Sequence, residues 1–190
     1  MGGRMSKQDF LSNHFLVAMP SLMDATFTKS VVYICEHSEN GAMGVLINKP
    51  MPINLGNILQ HLGIKVRKED LIALPVFMGG PVGQEHGFIL YQNRLAAPSK
   101  AQQDAIEISA SKEMLERIAQ GKGPDSFIVT LGYAGWSKGQ LENEVARNDW
   151  LIVPADATVI FSCQLQDRWR VAAQKIGVDI DKISSHVGHG

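Results

Sequence analysis

Cys35 and His37 are the residues of this 190-residue chain whose spacing comes closest to a catalytic pair. A cysteine nucleophile needs a base within hydrogen-bond reach, whereas residues two apart on a strand stand about 7 Å apart between Cα atoms. Cys163 has no neighbouring base. Both cysteines lie in apolar stretches and neither forms a C-x-x-C pair, which favours small buried side chains. Counting alone allows a disulfide, but free thiols in a reducing compartment are the simpler interpretation.

The sequence contains no complete pattern for a metal site or a phosphate-binding loop. His186 and His189 are three residues apart, which suits two ligands on a helical turn, but glycines surround them and no cysteine or carboxylate completes a ligand set. The remaining histidines are isolated. The glycine-rich segment at residues 79–83 follows a strand but lacks the spacing of nucleotide-binding loops, which predicts a tight turn. The sequence therefore predicts neither a metal nor a cofactor.

Composition sets limits on the class of protein. Hydrophobic residues make up 45% and charged residues 19% of the chain, as in an ordinary globular domain. The formal net charge of -1 argues against direct nucleic-acid binding, because dedicated nucleic-acid binders usually carry a basic excess, although a local basic patch could still exist. No apolar run is long enough to span a bilayer, and no signal peptide is evident. We therefore predict a cytoplasmic protein with a single domain over residues 1–190, of which Met1–Arg4 are an expression remnant.

Strand signals dominate the pattern of the elements. Residues 30–37 and 42–48 flank Asn40-Gly41, which predicts a β-hairpin. Further strands are predicted at 76–78, 87–91, 105–108, 127–131, 150–153 and 158–161. Helices are predicted after Asn54, after Ser109 or Ser111, after Ser137 and over about 166–175, with Gly63, Gly121 and Gly177 as stop signals. The pattern predicts an α+β fold with a mixed, largely antiparallel sheet and scattered helices.

The helix after Ser137 has the most complete start signal. Ser137 and Gln140 match a capping box, and Trp136 with Leu141 matches a hydrophobic staple. Glu142 and Glu144 are two residues apart, so they point to different sides of the helix and cannot form a carboxylate pair.

Three stretches together resemble the YqgE/AlgH family of bacterial proteins. The first runs from HFLVAMP at 14–20 through SVVYICEH, NGAMG and NKP to residue 50. The second is GGPV at 79–82 with GFIL at 87–90. The third runs from LGYAGW at 131–136 through QLE to NDW at 148–150. DRW at 167–169 and Gly188-His189 also match, so the resemblance runs from His14 to His189. It implies a bifurcated sheet curled into a pseudo-barrel and a bacterial cytosolic protein. One branch of the family is labelled a transcriptional regulator, and the resemblance supplies no catalytic residue.

The function that follows is a non-enzymatic binding or regulatory module that acts through a protein or small-molecule partner. Its ligand-binding candidates lie in three polar or glycine-rich segments; a structural role is favoured for each segment taken alone, and convergence of the three in one cleft would favour binding. An enzyme assembled from His37, Asn48, Lys49, Glu142 and Cys35 is the alternative, and a DNA-binding regulator is a third hypothesis. The predicted ligand-binding residues are Asn48, Lys49, Gly79, Gly80, Pro81, Trp136, Gln140 and Glu142.

Overall fold

The structure, a computed structural model, describes residues 10–94 and 98–184. These residues form a nine-stranded sheet with helices at its ends and faces. The strands are β1 (His14–Ala18), β2 (Val31–Ser38), β3 (Gly41–Leu46), β4 (Pro50–Asn54), β5 (Pro75–Met78), β6 (Val82–Gln92), β7 (Glu107–Ser109), β8 (Ser126–Ser137) and β9 (Trp150–Pro154). The helices are α1 (Leu55–His61), α2 (Lys100–Asp104), α3 (Lys112–Ala119), α4 (Gln140–Ala146), α5 (Ala157–Phe161), α6 (Arg168–Gln174) and α7 (Ile180–Ser184).

Strand β8 is the branch point of the sheet. Its first part pairs in parallel with β5 on one side and antiparallel with β6 on the other, and its last part pairs antiparallel with β3. The strand order is β4-β5-β8-β3-β2-β1-β9, with β6 and β7 on the branch. The predicted mixed, mostly antiparallel sheet with several helices is confirmed. The described sheet has open edges, and its curling into a pseudo-barrel stays a prediction.

The predicted hairpin is present as β2 and β3, but its turn is placed one residue earlier than the sequence suggested. Ser38 pairs with Gly41, so Glu39 and Asn40 form the turn and Gly41 begins the return strand with φ 135°. A Cβ atom on Gly41 would lie 2.2 Å from the Trp136 carbonyl oxygen. This glycine is therefore needed for the close pairing of β3 with β8.

Two of the three residues predicted as N-caps do cap the start of a helix. Asn54 accepts from the Asn57 backbone N–H and completes a capping box for α1, and Ser111 accepts from the Met114 N–H at the start of α3. The prediction for Ser137 was wrong. Strand β8 continues through Ser137, and α4 begins at Gln140 with Gly139 at its N-cap.

The predicted strand at 158–161 was also wrong, because these residues form α5. The β-branched side chains favour a strand, but Asp156 accepts from the Thr158 backbone N–H at 2.9 Å and from its hydroxyl at 2.6 Å. This cap starts a helix directly after β9 ends at Pro154. Val159 and Ile160 are then fully buried in the core, and tertiary packing overrides the local preference.

Apolar side chains form three buried clusters around the sheet. One lies beneath α5, α6 and α7, and includes Phe15 and Trp169. The second includes Trp136, Leu141 and Trp150. The third packs α1 and α3 against β5, β6 and β8. Trp136 and Leu141 thus share one cluster, but with Gly139 as the N-cap of α4 they do not form the predicted hydrophobic staple.

Candidate functional site

The buried imidazole of His37 is held by both of its ring nitrogens. The Leu11 backbone N–H donates to Nδ1 at 3.0 Å, so Nδ1 carries no proton. The proton is then on Nε2, which donates to Glu142 Oε1 at 2.7 Å. Phe10 packs edge-on against the ring, with 5.2 Å between centroids. The structure brings the two candidates His37 and Glu142 together, but in this arrangement the imidazole has no free lone pair to accept a proton from a substrate.

Cys35 lies with His37 in the lining of an open cleft of about 530 Å³. Its thiol donates to the Tyr33 carbonyl oxygen at 3.8 Å. Burial, with a smaller contribution from the charge of Glu36, raises the pKa of the Cys35 thiol to about 12. The thiol therefore stays protonated at neutral pH and lacks the thiolate character of a catalytic nucleophile.

The carboxylate of Glu144 organises the segment that contains Trp136 and Gln140. Its Oε2 accepts from the indole N–H groups of Trp136 and Trp150, each at 2.8 Å, and its Oε1 accepts from Gln140 Nε2 at 3.0 Å. The Gln140 Oε1 in turn accepts from the Ser137 backbone N–H at 3.0 Å. Trp136 and Gln140 therefore both have hydrogen-bonding roles within the fold.

Asn48 and Lys49 hold the loop that leads into β2. The Asn48 side chain accepts from the Val31 N–H and donates to the Lys29 carbonyl oxygen, both at 2.9 Å. The Lys49 ammonium donates to the Thr28 carbonyl oxygen. Burial, and then the nearby charge of Lys29, lower the pKa of Lys49 from its ordinary value.

Gly79 and Gly80 permit close contact between backbone segments. A Cβ atom on Gly79 would lie 2.3 Å from the Gly132 carbonyl oxygen, and one on Gly80 would lie 2.0 Å from the carbonyl carbon and oxygen of Tyr133. No side chain fits at such distances. Pro81 follows and is exposed.

The predicted ligand-binding residues fall into separate groups along β3. Trp136 pairs with Ala42 near the start of β3, whereas Asn48 follows six residues after Ala42, which corresponds to as much as about 20 Å of extended chain. Gly79 lies between them, accepting from the Leu46 N–H. As a single ligand site, this set of residues stays a prediction.

A groove of about 610 Å³ lies between α1, α3 and the branch of the sheet. Its walls are mainly apolar and include Ile58 of α1, Leu62 directly after α1, and Leu115 of α3. Phe88 and Leu131 contribute from β6 and β8. This volume falls in the range of small-molecule sites, which are mostly apolar concavities with a few polar groups.

One wall of the groove is formed by an irregularity in strand β6. Val82 pairs with Tyr133 and Gly87 pairs with Leu131, so four residues of β6 stand opposite one residue of β8. Gly83 and Gly132 both have positive φ, 56° and 80°, at this point. The extra residues 83–86 leave the ladder as a bulge, and residues 84–86 line the groove.

The polar members of the lining include His61, Gln84, His86 and Lys112, all of which are exposed. The sequence indicates His61 and His86 only as isolated histidines and does not single out Gln84 or Lys112. A signal was present in residues 83–87, where a glycine and three consecutive polar residues interrupt the alternation expected of a strand. The signal does not indicate which strand pairs with β6, and the bulge depends on that pairing.

Three further findings concern the described part of the chain. Within residues 10–94 and 98–184, no group of three or more His, Cys, Asp or Glu side chains could hold a metal ion. His186 and His189 lie outside the described residues, as do Met1–Arg4. None of the described helices is long and apolar enough to cross a membrane. Cys35 and Cys163 are free thiols.

The family model described as DUF179, AlgH-like, matches residues 15–181. The chain belongs to the AlgH-like family. It is 53% identical over 185 residues to a UPF0301 protein of Coxiella burnetii, covering 97% of this chain and 99% of the relative. It is 43% identical over 186 residues to a UPF0301 protein of Nitrosococcus oceani, covering 97% of this chain and all of that protein. These matches confirm the resemblance that the sequence motifs indicated.

Two solved structures agree with the fold of this chain. The solution structure of AlgH from Pseudomonas aeruginosa matches with a TM-score of 0.75 and 36% identity, covering 99% of this chain and 100% of that one. The crystal structure of protein DIP2367 from Corynebacterium diphtheriae matches with a TM-score of 0.72 over 95% of this chain and 94% of that one. At 21% identity, the second likeness concerns the fold alone.

Proposed function

We propose that this AlgH-like protein is a non-enzymatic, cytoplasmic binding module that regulates a partner, and that its ligand is a small, mainly apolar molecule held in the α1–α3 groove. The observation that carries the proposal is the groove itself, with its apolar walls and a volume of about 610 Å³. The two free thiols are in keeping with a reducing compartment.

The lining of the groove suggests the chemistry of the ligand. Burial of apolar surface on Ile58, Leu62 and Leu115 contributes roughly 25 cal/mol per Å² removed from water, so an apolar body is favoured. His86 and Lys112 lie 3.4 Å from Glu85 and 3.9 Å from Glu116 in exposed ion pairs, and both can turn to donate hydrogen bonds to an acceptor group at the rim. A ligand with an apolar body and one acceptor end fits both parts.

The predicted catalytic side chains give less support to the enzyme alternative. His37 uses both ring nitrogens within the fold, and the pKa of the Cys35 thiol is raised to about 12 by burial and, less strongly, by Glu36. Regulation through a bound ligand also requires no basic excess, which agrees with the formal net charge of -1.

Binding of Nile red, a neutral apolar dye, tests the groove. Leu62→Arg places a long cationic side chain in the groove wall, and Leu74→Arg is the matched control because Leu74 is equally exposed, 36% against 37%, and is not part of the groove lining. We expect saturable fluorescence enhancement in the unmodified protein, at least tenfold weaker binding in Leu62→Arg, and unchanged binding in Leu74→Arg.

Two results would contradict the proposal. One is the absence of saturable dye binding by the unmodified protein, and the other is equal binding by both variants. Mass spectrometry of small molecules extracted from protein purified without detergent then identifies the natural ligand, which Leu62→Arg is expected to lose and Leu74→Arg to retain.

A further inference from the structure

Three basic side chains lie around the loop before β2 and the end of β3, and none of them lines the α1–α3 groove. Lys49 donates to the Thr28 carbonyl oxygen, one residue before Lys29, and the Lys29 charge adds to the larger effect of burial in lowering the pKa of Lys49. Arg168 donates to the carbonyl oxygen of Ile47, two residues before Lys49. We refer to Lys29, Lys49 and Arg168 as the basic cluster.

Neighbouring side chains fix the positions of these cations. Asn48 ties the Lys29 carbonyl oxygen to the Val31 N–H, so the Lys29 and Lys49 backbones are held together. The Lys29 ammonium lies 5.6 Å from the centroid of the Trp169 ring, directly after Arg168 in the chain. The structure thus assembles the cluster from residues 29, 49 and 168 through backbone hydrogen bonds and an aromatic face.

Arg168 is the buried member of the basic cluster. The residue is only 7% exposed, and its guanidinium lies 5.1 Å from the centroid of the Phe77 ring. The hydrogen bonds that it donates go to two backbone carbonyl oxygens, those of Ile47 and Cys163. Buried cations are usually paired with a carboxylate, because carbonyl dipoles only partly replace the lost hydration.

No carboxylate forms an ion pair with the basic cluster within residues 10–94 and 98–184. Elsewhere in that range, exposed basic side chains such as Arg147, Arg170 and Lys175 do pair with aspartates. The cluster is therefore a local excess of positive charge in a chain whose formal net charge is -1. Its field attracts an anion, and burial strengthens that attraction relative to an exposed site.

We propose that the basic cluster binds a phosphate group, either as inorganic phosphate or as a phosphate monoester. The planar guanidinium of Arg168 can donate two parallel hydrogen bonds to phosphate oxygens, and the two ammonium groups add point charges. A phosphate dianion balances these cations better than a single carboxylate does. Lys29 is exposed and Lys49 is half-buried, so the ligand enters from their side. Asn48 is a positioning residue, because it holds the loop that carries Lys29.

Isothermal titration calorimetry with inorganic phosphate at fixed ionic strength tests this site. Lys49→Met removes a charge of the cluster while keeping the length of the side chain, and Lys138→Met removes an exposed charge between β8 and α4 as the control. We expect saturable binding in the unmodified chain, at least tenfold weaker binding in Lys49→Met, and no change in Lys138→Met. Lys29→Met is a second variant that is expected to weaken binding in the same direction if Lys49→Met fails to fold.

The same titration with glycerol 3-phosphate distinguishes the two sources of phosphate. Tighter binding of the monoester than of inorganic phosphate indicates an organic phosphate ligand, and the opposite order indicates free phosphate; either result supports the site. No saturable binding of either probe by the unmodified chain overturns the proposal. Equal affinities in the unmodified chain and in the folded Lys49→Met and Lys29→Met variants also overturn it. Neither result bears on Nile red binding in the α1–α3 groove.

Discussion

The carboxylate of Glu144 allows a quantitative test of whether Trp136 and Gln140 serve the fold. Its two oxygens accept three hydrogen bonds, from the indoles of Trp136 and Trp150 and from the Gln140 amide. Both tryptophans are buried, 6% and 5% exposed, so loss of the shared acceptor leaves their N–H groups in a mainly apolar environment. Glu144→Gln keeps the shape of the side chain but replaces one acceptor oxygen with a donor.

The cost of this substitution follows from the geometry. If the new amide oxygen faces the two indoles, its NH₂ faces the Gln140 NH₂ and that hydrogen bond is lost. Gln140 cannot simply flip, because its oxygen accepts from the Ser137 N–H. Hydrogen bonds to charged groups contribute about 1.5–3 kcal/mol and neutral ones about 1 kcal/mol. Relief of carboxylate desolvation offsets part of the loss, so we expect the free energy of unfolding to fall by about 2 kcal/mol.

Glu142→Gln is the matched control two residues away on the same helix. Glu142 Oε1 accepts from His37, whereas its Oε2 is buried without a hydrogen-bond partner in the described structure. An amide keeps the first contact as a neutral hydrogen bond, and relief of carboxylate desolvation offsets this weakening, so the free energy of unfolding should change by less than about 1 kcal/mol.

Urea unfolding followed by circular dichroism measures both changes in the free energy of unfolding. In NMR spectra, the indole N–H resonances of Trp136 and Trp150 should move in Glu144→Gln. The indole resonance of Trp169 should stay, because that group donates to the Ala18 carbonyl oxygen at 2.9 Å. Equal stability of the two glutamine variants, with unmoved indole resonances, would refute the structural assignment and return Trp136 and Gln140 to the ligand-binding candidates.

Three further predictions concern single positions. Gly80→Ala places a Cβ atom 2.0 Å from the Tyr133 carbonyl group, so unfolding in urea should show a loss of about 3 kcal/mol or more. Ser30→Ala should leave the free energy of unfolding unchanged or raise it by about 1 kcal/mol in the same assay, because the buried Ser30 hydroxyl has no hydrogen-bond partner in the described structure. In a Cys163→Ser background, native Cys35 should resist iodoacetamide at pH ~8 and react in urea, because burial and, less strongly, Glu36 raise the pKa of its thiol to about 12. Since this folded-state pKa lies above the unfolded value, its stabilising contribution should be complete below pH ~8.5 and should fall as pH rises toward 12, which unfolding curves across that range measure.

Local signals predicted those elements whose geometry is decided by neighbouring residues. The Asn54 and Ser111 caps are of this kind, because the acceptor and the N–H that it satisfies lie three residues apart. The failure at Ser137 shows the limit of such signals. Gln140 does reach back to the Ser137 N–H as a capping box requires, but β3 pairs with β8 as far as Ser137 and keeps that residue in the sheet.

The two proposed sites have no local signal of this kind, because strand pairing creates them. The groove depends on the four residues of β6 that stand opposite one residue of β8, and residues 83–86 form a bulge only in that register. The basic cluster depends on β2 and β3 placing Lys29 beside Lys49, and on α6 packing Arg168 against Ile47. A one-residue change of register would reverse the faces of these strands and separate both sets of side chains. Sequence patterns could therefore identify the family and most elements, whereas the sites required the pairing of segments up to 139 residues apart, from Lys29 to Arg168.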